Sequence, residues 1–149
     1  MEGKKMKAIY FDMDGTIADF YGVTGWLDSL QERNVSPYLL AKPMFNAWQF
    51  SILLNGLKHK GYHIGIISWT AKNSNEDFNR RIEKAKRHWL KENLFINLDE
   101  IKIVPYGTPK SEAVDFPFGI LFDDEKPNRE NWLGNAYTPA EITEILEAL

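Results

Sequence analysis

Six polar residues stand at or just beyond the ends of four short apolar runs. Asp12 and Asp14 follow residues 7–11, Ser68 follows 62–67, Lys110 comes a few residues after 101–104, and Asp123 and Asp124 follow 118–122. If those runs lie side by side, four carboxylates converge with one hydroxyl and one ammonium. Carboxylates that close repel one another and shift each other's pKa unless a cation sits among them. Oxygen donors with neither His nor Cys among them favour Mg²⁺. A hydroxyl and a lysine opposite such a metal supply what a transferring phosphoryl group needs, donors and positive charge on its non-bridging oxygens.

These side chains meet only if the runs are strands of one sheet. The first, Lys7-Ala8-Ile9-Tyr10-Phe11, stops where charge and glycine enter at Asp12-Met13-Asp14-Gly15. The others are similarly apolar and bounded by polar residues, which predicts buried strands. Helical patterns lie between them. In residues 75–93, Phe78, Ile82, Ala85 and Trp89 recur at i, i+4, i+7 and i+11, one apolar face. The charges of that segment, Arg80, Arg81, Lys84, Lys86, Arg87 and Lys91 beside Glu76, Asp77, Glu83 and Glu92, read as its solvated outer face. The last helix opens on Thr138-Pro139-Ala140-Glu141, a capping box with proline at the first helical position, and carries Ile142, Ile145, Leu146 and Leu149 on one stripe.

Strands alternating with helices predict an α/β fold with a Rossmann-like, mostly parallel sheet that binds ligands beyond the carboxyl ends of its strands. Residues 19–60 break the alternation: a short helix over 24–31, a further turn from Ser36-Pro37 and a longer crossover helix over 43–60. Residues 19–45 therefore read as a small helical cap inserted into a single domain spanning 1–149.

Composition narrows the function. With 149 residues, 44% of them hydrophobic, the chain builds a sizeable core without metal or disulfide staples. Eighteen Lys and Arg against 21 Asp and Glu give a net charge of −3, against tight backbone binding of nucleic acid. The absence of cysteine excludes thiolate nucleophiles, disulfides and cysteine-ligated metals. Residues 1–7 are basic, but the apolar run after them meets Asp12 too soon for a signal segment or a membrane span, so a cytoplasmic protein is expected.

The stretch Ile9-Tyr10-Phe11-Asp12-Met13-Asp14-Gly15-Thr16 closely resembles the first motif of the haloacid dehalogenase-like (HAD) phosphohydrolases. Ile66-Ile67-Ser68 is similar to the second, Lys110 to the third and Leu121-Phe122-Asp123-Asp124 to the fourth, in the family's order, so the resemblance spans about residues 7–128. It implies that Asp12 is a nucleophile forming an aspartyl-phosphate, and that Asp14 is the acid and then the base. It implies Mg²⁺ held by the Asp12 carboxylate, the Asp14 carbonyl and an acid of the fourth motif, Asp124 ahead of Asp123, with Asn128 supporting them. Ser68 would bond the phosphoryl group and Lys110 offset its charge. An acid two residues after the nucleophile favours phosphate esters over dehalogenation. The short, aromatic-rich insert and paired acids resemble the 5′(3′)-deoxyribonucleotidase branch, so a nucleoside monophosphate is the leading substrate. A nucleic-acid 3′-phosphate end or a sugar phosphate is the alternative, and a non-catalytic phosphate-binding module the alternative of another class. Whether a second subunit closes the site is open.

Other readings of these residues fare worse. An EF-hand needs glycine and glutamate where the chain has Ile17 and Val23. His59 and His63 are separated by Lys60-Gly61, which ends the helix, and with His88 they read as ordinary. Trp69, Phe20 and Tyr21 are candidates to stack on a substrate ring, and Lys72 and Asn73 to grip it, whereas Trp26, Phe45 and Trp48 read as core of the insert.

Overall fold

The computed structural model describes residues 7–149; residues 1–6, on which the reading of a basic start rests, lie outside the described residues. Five strands form one sheet in the order β5-β4-β1-β6-β7: β1 (Ala8–Phe11), β4 (His63–Trp69), β5 (Glu100–Val104), β6 (Ile120–Phe122) and β7 (Ala136–Tyr137). Every pairing in it is parallel. The expected α/β sheet is therefore present, and its order places β1 in the middle, with the switch between β4 and β6 on its two sides.

Side-chain alternation on β1 divides the core. Ile9 and Phe11 face Phe50, Leu54 and Leu57 of α3 (Ala47–His59) and Ile142 and Leu146 of α7 (Ile142–Glu147). Ala8 and Tyr10 face the other way, against Val114 and Trp132. Trp132 lies just past α6 (Lys126–Asn131), and Val114 just past α5 (Lys110–Ala113). Helices thus cover both faces, as parallel strands buried on both sides require.

The segment between β1 and α3 forms α1 (Trp26–Gln31), α2 (Ser36–Leu40) and a two-stranded antiparallel ribbon of β2 (Ala18–Asp19) and β3 (Lys42–Pro43). The ribbon escapes the pattern of the sequence because each strand is two residues long. Phe20 and Tyr38 of this segment pack on Phe78, Ile82 and Ala85 of α4 (Glu76–Asn93). Asn75 caps α4, its side chain accepting from the Phe78 amide at 2.8 Å.

Three expectations change. The second strand does not end at Ser68 but continues through Trp69, because the parallel partner β5 still pairs there. Trp48 is not core of the insert: it sits on α3 at 62% exposure, its ring 5.4 Å from that of Phe95. Lys86 is not on the solvated face of α4; it is 1% exposed. It stands four residues after Ile82 and three before Trp89, inside the apolar register, where its stem packs and its ammonium finds partners.

Candidate active site

Parallel strands put all their carboxyl ends at one edge, and β1, β4 and β6 deliver Asp12, Ser68 and Asp123 there side by side. The ladder continues past β1, the Asp12 amide donating to the Phe122 carbonyl at 2.9 Å. The chain then turns sharply, with the amides of Thr16, Ile17 and Ala18 all donating to the Met13 carbonyl at 3.0 Å. Gly15 makes this possible. Its φ is +79°, and a Cβ there would overlap the Asp124 carboxylate.

Lys110 starts α5 and is buried between two acids. Its Nζ donates to Asp12 Oδ1 at 2.9 Å and to Asp123 Oδ2 at 2.6 Å. Burial works against its charge, but Asp12 and Asp123 outweigh that and raise its pKa. Thr16 joins the other side of the site, its hydroxyl donating to Asp12 Oδ2 at 3.0 Å and accepting from the Asp124 amide at 3.1 Å.

Carboxylates outnumber cations. Burial, then the charge of Asp12, pushes Asp123 up to about 6 and Asp124 up to about 8. Asp123 has both oxygens engaged, Oδ2 by Lys110 and Oδ1 by the Glu125 amide at 2.9 Å. Among the described residues no basic side chain pairs with Asp124. Ligand atoms of Asp12, Asp123 and Asp124 all lie within 4.8 Å of one another, a set of hard oxygens with charge to spare.

Asp14 lies apart from that trio. Lys86 reaches it from α4, Nζ to Oδ2 3.0 Å, and also donates to Ser68 Oγ and to the Trp69 carbonyl, each at 2.7 Å. Burial raises the Asp14 carboxyl above the ordinary range against the pull of Lys86.

One small cavity of about 60 Å³ is lined by Asp12, Asp14, Ser68, Lys110, Asp123 and Asp124, together with Tyr21, Trp69, Tyr106 and Asn128. The structure thus brings together Asp12, Asp14, Ser68, Trp69, Lys110, Asp123 and Asp124, with Tyr21 and Asn128 beside them. Trp69 is fixed there, its indole N–H donating to the Thr108 carbonyl at 2.7 Å and its ring 4.9 Å from that of Tyr106. Phe20 is instead buried core, and Lys72 and Asn73 are exposed outside the lining.

Two polar residues of this region escape the sequence reading. Lys86 reads in the sequence as one of the charges on the outer face of its helix. Thr70, just past β4, lines the cavity with its Oγ1 buried and without a hydrogen-bond partner. Compared with protein-family models and with curated proteins, the chain matches none.

Proposed function

We propose that this protein is a Mg²⁺-dependent phosphatase of the HAD type, hydrolysing a phosphate monoester through a phosphorylated Asp12. The observation that carries the reading is the pairing of Asp12 with Lys110 beside Asp14 in a cavity sized for a phosphoryl group. The Asp12 carboxylate attacks phosphorus, the bond to the ester oxygen breaks, and Asp14 gives that oxygen its proton. Water then attacks the same phosphorus as Asp14 takes its proton, and the bond to Asp12 breaks to release phosphate. Burial raises the Asp14 carboxyl, the direction that suits a general acid.

The trio of acids fits a hard divalent cation. Asp12 and Asp124 would hold it, with the Asp14 carbonyl; Asp124 takes precedence over Asp123, whose oxygens are already engaged. When bound, Mg²⁺ would neutralise the gathered charge and polarise the phosphoryl oxygens. Lys110 and Ser68 serve the same oxygens from the protein side, and the segment between β1 and α3 acts as a reduced cap.

A hollow of about 390 Å³ adjoins the site, sharing Trp69, Lys110 and Asn128 with it and adding Asn131 and Trp132. Lys110, held by Asp12 and Asp123, is the charged residue of its lining. Flat aromatic walls and amides suit an uncharged ring bearing hydroxyls or ring nitrogens, which favours a nucleoside monophosphate. The alternative of a nucleic-acid end gains no support from α4, where Arg81 pairs with Asp77 and Arg87 with Glu83.

Phosphate release from nucleoside monophosphates, a 3′-phosphorylated oligonucleotide and sugar phosphates, with Mg²⁺ and with EDTA, tests the reading. Release that needs both Mg²⁺ and Asp12, greatest with the nucleotides, is expected. No release from any ester would favour a binding module, and release by Asp12→Asn would remove the nucleophile.

A further inference from the structure

Lys86 takes no part in the steps above, yet its charge is fully buried, a costly placement unless every proton finds an acceptor. Here each does. The three N–H bonds of Nζ go to Asp14 Oδ2, Ser68 Oγ and the Trp69 carbonyl, at 3.0, 2.7 and 2.7 Å. The ring of Tyr38, from the segment between β1 and α3, lies 5.1 Å from the ammonium and closes it off.

This arrangement has two chemical consequences. An ammonium only donates, so Ser68 Oγ is the acceptor of its bond with Lys86, and the serine's own proton is free for another partner. Ser68 lines the small cavity, where on the phosphatase reading that partner would be a phosphoryl oxygen. Asp14 has Oδ2 tied to Lys86, so Oδ1 is left for the leaving oxygen.

We infer that Lys86 is a positioning residue for the reaction, orienting the Ser68 hydroxyl as a donor to the phosphoryl group and Asp14 as the acid facing the leaving oxygen. The inference rests on the phosphatase reading and adds to it a lysine from a helix that otherwise serves the core.

The test compares two kinds of ester. An alkyl phosphate needs its leaving oxygen protonated, whereas p-nitrophenolate departs without a proton. In Lys86→Met, kcat/KM, which reports transfer to Asp12 and not the later hydrolysis common to both esters, is expected to fall about 100-fold on an alkyl phosphate such as a nucleoside monophosphate and less than about 10-fold on p-nitrophenyl phosphate. Inhibition by inorganic phosphate should weaken several-fold as Ser68 loses its orientation. Lys86→Arg, which keeps donors and charge, should recover part of the alkyl-ester rate, and it carries the test if the methionine variant does not fold. Equal losses on both esters in either folded variant, or unchanged rates, would overturn the role of Lys86 while leaving the phosphatase standing. A wild type that releases no phosphate from either ester would overturn both.

Discussion

At Asp12 the proposed chemistry relies on a neighbour more than ninety residues away in sequence: the Lys110 ammonium, 2.9 Å from one oxygen and shared with Asp123. Removing one partner of such a buried set leaves an uncompensated charge and costs about 3–5 kcal/mol. Lys110→Met should therefore lose both activity and stability, the latter as a lower urea midpoint at unchanged m. Thr70 is a milder case. Its buried Oγ1 lacks a partner and the residue lines the cavity, so a bound phosphoryl oxygen is a candidate acceptor. Thr70→Val is expected to weaken inhibition by inorganic phosphate about 2- to 10-fold, the worth of one neutral hydrogen bond, without destabilising the fold. Unaltered phosphate inhibition would show that the hydroxyl takes no part. Asp12, Asp14, Ser68, Lys110, Asp123 and Asp124 were legible because each follows an apolar run. Lys86 and Thr70 were not: a lysine among nine other charges reads as surface, and a threonine after a tryptophan carries no pattern.

The elements that hold these residues were legible in proportion to their length. β1, β4, β5 and α4 stand out because their apolar residues recur at the right period over enough positions. β7 spans two residues and α5 four, too short for any period to show; β7 takes its form from pairing with β6, and α5 packs Ala113 on the adjoining core. The capping box at Thr138 is present, its amide and hydroxyl both 2.9 Å from Glu141 Oε1, but the first turn after it is a 3₁₀ turn, Pro139–Glu141, before α7 begins. Helix α4 matters most for the site, since it carries Lys86 to Asp14. Its N-terminus rests on Asn75, and Asn75→Ala should cost about 1 kcal/mol in urea unfolding. Activity below the melting range should stay intact, because the Lys86 contacts lie beyond the first turns. A large loss of rate in the folded variant would mean that the helix start governs the site directly.

Across the whole molecule, the parallel sheet gathers at one edge more negative charge than its own lysines neutralise. Asp14, Asp123 and Asp124 all have raised carboxyls, so the folded protein holds more protons there than the unfolded chain. Their contribution to stability is full below the ordinary carboxylate range and is lost as pH rises through about 6 for Asp123 and about 8 for Asp124. In EDTA, melting temperature should fall between pH 5 and pH 8, and Mg²⁺ should raise it more at pH 8 than at pH 5. Asp124→Asn should flatten the pH dependence and abolish the response to Mg²⁺; a response that survives would place the cation elsewhere. No helix among the described residues is long and apolar enough to cross a membrane.

The central claim is a covalent bond between Asp12 and phosphorus, and Asp14→Asn makes it visible. This variant lacks the base that activates water, while p-nitrophenolate needs no acid to depart, so the first half-reaction proceeds and the second stalls. Rapid mixing with p-nitrophenyl phosphate and Mg²⁺ should give a stoichiometric burst of p-nitrophenolate, with acid-quenched protein carrying phosphate on Asp12. Linear release with no burst and no phosphate on Asp12 would contradict the account.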